Sequence, residues 1–85
     1  YGKPEIPELK TDAWYVLAAI LRDKVDALRL AAIINHQGPQ IPARVLSESD
    51  CHRVLAGPFD NMSDAKDAAK RLKIDLEIDG ILVEP

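Results

Sequence analysis

"WYVLAAIL" (residues 14–21) and "HRVLAGPF" (residues 52–59) share a Val-Leu-Ala core. Laid on each other without a gap, they put Val16, Leu17 and Ala18 on Val54, Leu55 and Ala56. The same offset continues downstream, with Asp26, Ala27 and Ala31 falling on Asp64, Ala65 and Ala69. A single register held through a β-prone run, a polar step and an alanine-rich run marks an internal repeat. Each half therefore reads as a strand leading into a helix, and the fold is two such halves joined.

Working outward, "AWYVLAAI" (13–20) is short and apolar enough for a buried strand. "RDKVDALRLAAIINHQG" spaces Ala27, Leu30, Ala31 and Ile34 as one helical face and predicts a helix leaving through Gly38-Pro39. "IPARVLS" (41–47) is a second strand and "SESD" a polar turn. "CHRVLAG" is a third strand, expected to break at Gly57-Pro58 because proline cannot donate in a central ladder. "NMSDAKDAAKRL" (61–72) is a second helix with Ala65, Ala68, Ala69 and Leu72 inward and Asn61 or Ser63 as N-cap. Asp79-Gly80 turns into a closing strand, "ILVE". The order β-α-β-β-α-β predicts an α+β, ferredoxin-like domain over residues 13–85. Its four-stranded antiparallel sheet carries both helices on one face, with the repeated strands as the central pair and the other face open. Residues 1–12, with two prolines and no apolar period, read as a linker or extended arm.

Bulk composition limits what such a domain does. Its 85 residues hold 14 acidic and 11 basic side chains, so the clustered cations of a nucleic-acid footprint are missing. One cysteine, Cys51, excludes an internal disulfide framework. No apolar run reaches the length of a membrane span. The chain starts at Tyr and is expected to be an excised domain, with any membrane anchor or targeting segment upstream.

Arg53-Val54-Leu55-Ala56-Gly57-Pro58-Phe59, followed by Ala65 and Leu72, resembles the signature of SPOR (sporulation-related repeat) domains. The first half fits in the same register through Trp14-Tyr15-Val16, Ala27, Leu30 and Gly38. The resemblance covers about residues 13–84. It implies a non-catalytic module that binds peptidoglycan, preferentially glycan strands stripped of stem peptides. It also implies a parent protein in the bacterial cell envelope or periplasm, at the division septum. Where the family's first strand usually carries Gln, Gly, a small residue and Phe, this chain has Leu17, Ala19, Ile20 and Leu21. Cys51 stands where an aromatic is common, and Arg53 is retained.

Strand alternation supplies the candidate contacts. With Val16, Ala18, Val54 and Ala56 packed on the helices, Tyr15, Leu17, Ala19, Cys51, Arg53 and Leu55 face outward, joined by Arg44 and Leu46. A stripped glycan strand exposes lactyl carboxylates, and an arginine fork matches a carboxylate. Arg53 and Arg44 are therefore candidate carboxylate contacts, with Tyr15 and Leu55 as a platform for sugar faces. Leu17, Ile20 and Cys51 complete the expected site. Leu17, Ile20 and Leu55 also suit the alternative of a diverged module that binds a protein partner or forms a homodimer through an apolar sheet face.

Other chemistry is poorly supported. "DLEIDG" (75–80) imitates the start of a calcium loop, but the twelfth position of that loop lies beyond the chain. His36 and His52 lack companions at metal or triad spacing, and Cys51 lacks a base partner. A single outward aromatic, Tyr15, does not make an RNA-stacking surface. No cofactor, metal or catalytic constellation is expected.

Overall fold

Each strand–helix half buries a stripe of small residues, and this brings two helices close to one sheet. A computed structural model describes residues 5, 6, 8, 9, 11–36 and 41–85. Strand β1 is Glu5–Ile6, β2 Trp14–Leu21, β3 Ala43–Ser47, β4 His52–Phe59 and β5 Ile81–Val83. Helix α1 is Lys24–His36 and helix α2 is Met62–Leu76. The sheet order is β1-β3-β4-β2-β5. β2 and β4, the repeated segments, pair antiparallel at its centre. β3 and β5 flank them, also antiparallel. Helix α1 lies mainly over β3 and β4, and α2 mainly over β2 and β4 with β5 beyond.

Alanines set the depth of this packing. Ala27 and Ala31 of α1, and Ala65 and Ala68 of α2, are buried with Ile34, Leu72, Val16, Val45 and Val54 in one cluster. A Cβ-only side chain lets helix backbone approach the sheet, while Ile34 and Leu72 fill the remaining space. Each fully buried aliphatic of that size contributes about 1.5–3 kcal/mol. α2 starts at Asn61, whose Oδ1 accepts from the Asp64 backbone N–H at 2.9 Å. Asp23 plays the same part for α1, accepting from the Val25 N–H at 2.8 Å.

Asn35 ties α1 to the sheet. It is 93% buried, at 7% exposure, in a cluster that is otherwise hydrophobic. Its Oδ1 accepts from the Ala43 N–H at 2.7 Å and its Nδ2 donates to the Ala43 carbonyl at 3.2 Å. The amide thus satisfies both backbone groups of the first β3 residue, a need that buried main chain always imposes.

Three features differ from expectation. The sheet has five strands, because Glu5–Ile6 adds to the β3 edge in parallel, Glu5 opposite Val45 and Ile6 opposite Leu46. Of the segment read as a linker or extended arm, residues 1–12, Glu5–Ile6 thus contribute to the sheet, while residues 1–4, 7 and 10 lie outside the described residues. α2 runs to Leu76, one turn beyond the expected end, and stops at Glu77 in the left-handed region (φ 57°). The helical exit expected at Gly38-Pro39 lies outside the described residues.

The third difference is that β4 does not break at Gly57-Pro58. Between the pairs Trp14–Phe59 and Val16–Ala56, β4 carries one residue more than β2, a bulge. A bulge leaves a residue unpaired, so proline's missing N–H costs the ladder nothing there. Gly57, before the cis bond to Pro58, has φ 128°. Only glycine takes that conformation readily, and a Cβ there would lie 2.9 Å from the Trp14 carbonyl oxygen. Its N–H still donates to the Pro42 carbonyl at 2.8 Å.

Asn35→Ala is expected to destabilise the domain by about 1–3 kcal/mol, since it leaves the buried Ala43 N–H without its acceptor, while the Ala43 carbonyl keeps the Arg44 guanidinium as a donor. Urea unfolding followed by circular dichroism measures this, and a change below about 0.5 kcal/mol would show that the clamp carries no stability. Gly57→Ala is expected to cost at least about 1–2 kcal/mol by the same assay.

Candidate functional site

The sheet face turned away from the helices holds most of the expected contacts, but a second irregularity decides which residues reach it. Leu17 pairs with Leu55 and Ala19 with Val54, so β2 gains one residue at Ala18. Past that bulge the alternation inverts. Ala19 shares the helix side with Val54 and packs on the buried cluster there. Ile20 pairs with Arg53 and is 55% exposed. The expectation that Ala19 points outward is thereby corrected, and unbroken alternation would have sent Ile20 into the core.

Register then lays out rows across the outward face. Ile20, Arg53, Leu46 and Ile6 form one row over β2, β4, β3 and β1. Ile81, Leu17, Leu55 and Arg44 form the next, over β5, β2, β4 and β3. Tyr15 and Val83 pair beyond it. Arg44 and Arg53 are diagonal neighbours, Cα atoms on the order of 7–8 Å apart by antiparallel geometry.

This face is not open along its whole length. Tyr15 is 3% exposed and Leu55 1%, in a cluster with Ala13 onto which Leu9, Leu17, Leu46 and Val83 pack. Tyr15 and Leu55 face away from the helices as expected, yet they are buried in this conformation and present no sugar platform. Leu9, from the segment before β2, is one of the side chains that pack on the cluster they form with Ala13.

Arg53 stands at the uncovered end. Its Nε lies 2.8 Å from Glu48 Oε1, with the two side chains 44% and 43% exposed. That N–H makes no directed hydrogen bond among the described residues, so the contact is electrostatic only. Arg44 is half-buried, and its Nη1 donates to the adjacent Ala43 carbonyl at 2.9 Å. Cys51 precedes β4 instead of belonging to it, and its carbonyl accepts from the Glu48 N–H at 2.8 Å, closing the turn between β3 and β4.

Of the seven expected site residues, half-exposed Arg53 and exposed Ile20 are cross-strand partners, and partly buried Leu17 lies in the next row. Ile81, 63% exposed and opposite Leu17, joins them unforeseen. Alternation sends Ile81 to the side opposite Leu82, which packs on the helix-side cluster, but that Ile81 meets Leu17 follows only from the register of β5 on β2. The residues set aside earlier are engaged locally. His52 Nδ1 and Ser47 Oγ are 2.8 Å apart. Lys73 Nζ lies 2.9 Å from Asp79, and Arg71 Nε 3.7 Å from Asp75. Among the described residues, no three His, Cys, Asp or Glu side chains gather where they could hold a metal ion. No helix there is long and apolar enough to cross a membrane.

Comparison with known proteins agrees with the fold. The SPOR domain family matches residues 10–84. The solution structure of the peptidoglycan binding domain of the B. subtilis cell wall lytic enzyme CwlC is similar, with a TM-score of 0.71 at 23% identity. That alignment covers 92% of this chain and 96% of the other. A search of curated proteins gave no significant match.

Glu48→Gln is expected to change unfolding stability by less than about 0.5 kcal/mol, as for other half-exposed ion pairs. Denaturant titration checks it, and a loss above about 1.5 kcal/mol would mean that the pair is structural and Arg53 is not available to a ligand.

Proposed function

The chain belongs to the SPOR domain family, and we propose that it is a non-catalytic module that binds peptidoglycan in the cell envelope. Family membership supports this, as does a fold shared with the peptidoglycan binding domain of a lytic enzyme. The finer reading concerns what is bound. Glycan strands stripped of stem peptides carry a free lactyl carboxylate where a peptide used to be, and Arg53, its side chain 44% exposed, is the cation of the family signature. That is the observation on which the reading turns.

A guanidinium offers five donors, and Glu48 engages only the neighbourhood of Nε. The terminal Nη groups are thus left to make a two-pronged contact with a ligand carboxylate, which a lysine could not reproduce. Exposed Ile20 and Ile81, with partly buried Leu17 between them, supply apolar area for the less polar face of a sugar ring. The polar side chains that other members present from the first strand are replaced here by Leu17 and Ile20, so charge contact with Arg53 carries a larger share of recognition. Enrichment of stripped glycan at the division site would direct the parent protein to the septum in the periplasm. No bond is made or broken in this scheme, and no cofactor takes part.

A second reading rests on the exposure of Ile20 and Ile81, at 55% and 63%. These side chains flank the free edge of β5 and would suit a protein partner or a second copy.

The purified domain is expected to sediment with sacculi after amidase removal of stem peptides and much less with untreated sacculi. Arg53→Ala should weaken that retention about tenfold, and Arg53→Lys should restore only part of it. Equal retention of wild type and Arg53→Ala would remove Arg53 from the site. Absence of retention together with a dimer in analytical ultracentrifugation would favour the partner reading.

A further inference from the structure

The path of the chain before β2 has a consequence for the face just described. Ile6 pairs with Leu46 on the outer edge of β3, level with Arg53. Trp14 pairs with Phe59, at the opposite end of β4 and two strands further in than β3. Between these points lie three strand spacings, about 14 Å, and a displacement along the strands of roughly 17 Å. The direct diagonal is therefore about 22 Å, against a reach of at most about 28 Å for eight residue steps. The helices occupy one side of the sheet, and on the other Leu9 packs against the cluster of Ala13, Tyr15 and Leu55. With so little slack between Ile6 and Trp14, Leu9 and Ala13 lie on the outward face and act there as a strap.

We propose that this strap regulates the module: Leu9 and Ala13 occupy the part of the sheet face that a glycan strand would otherwise cover, so strap and ligand compete for Tyr15 and Leu55. The inference rests on the peptidoglycan reading above and adds its control. The closed form exposes only the Arg53 corner. The open form exposes a continuous band from Arg53 through Leu55 to Tyr15, long enough to follow more than one sugar. Among the described residues the strap is anchored by two residues of parallel pairing, by Leu9 on the Tyr15–Leu55 cluster, and by the exposed Lys24–Glu5 ion pair at 2.7 Å. A contact of that size leaves the open form thermally accessible, and the apparent dissociation constant then exceeds the intrinsic one by the inverse of the open fraction.

The test pins the strap reversibly. In the full chain, Ile6→Cys and Leu46→Cys are combined with Cys51→Ser, which puts two thiols opposite each other on neighbouring strands at disulfide-compatible spacing. Stripped sacculi are the probe. The oxidised form is expected to bind at least tenfold more weakly than the same protein after reduction. Leu9→Ser, which loosens the strap without new covalent chemistry, is expected to bind about three- to tenfold more tightly than wild type. Equal binding by the oxidised and reduced forms, or unchanged binding by Leu9→Ser, would overturn the strap while leaving the peptidoglycan reading intact. If the wild type and the reduced form both fail to bind stripped sacculi, the reading of function falls, and the strap with it. Should the triple variant not fold, Leu9→Ser alone decides: tighter binding supports competition and unchanged binding refutes it.

Discussion

Antiparallel pairing between β2 and β4 is the constraint on which the remaining structure hangs. These two strands are the repeated segments, they occupy the middle of the sheet, and each launches a helix. Their inward residues Val16, Val54 and Ala56 form the floor on which Ala27, Ala31, Ala65 and Ala68 settle. Because both helices begin at equivalent points of equivalent strands, small residues meet the sheet at matched heights. The pair is also what presents Arg53, whose position is fixed by Ile20 on one side and Leu46 on the other.

The halves are not mirror images in detail, and the two bulges record the difference. β4 carries its extra residue at the Gly57-Pro58 step, where the backbone needs a positive φ and no donor. β2 carries its own at Ala18, with no residue of special backbone preference. The first could have been read from Gly-Pro as a local disturbance, although a strand break was the natural expectation. The second leaves no compositional trace, which is why Ala19 was expected outward and is found inward.

The order β-α-β-β-α-β from residue 13 on, the helix faces and the central strand pair were legible, and the cap was narrowed to Asn61 or Ser63, since periodicity and capping are local properties of a sequence. Buried Asn35 was not, because a polar residue in the last turn of a helix reads as a solvated end until β3 is seen beside it. The burial of Tyr15 and Leu55 was hidden for a related reason. Two prolines in the first twelve residues advertise an arm, but where an arm docks depends on contacts far away in sequence. At the candidate site, Arg53 followed from the family signature, whereas Ile81 became visible only once β5 had a register.

The Ala18 bulge bears on how such domains are compared with one another. One added residue in β2 exchanges Ile20 and Leu21 between solvent and interior while leaving the ends of the strand in place. An alignment that places the gap outside the strand would match two relatives that differ by this insertion column for column across it, yet beyond the bulge they display opposite sets of side chains. Inheritance of a contact residue across such a family is therefore safe only when hydrogen-bonded partners, and not alignment columns, are what is matched.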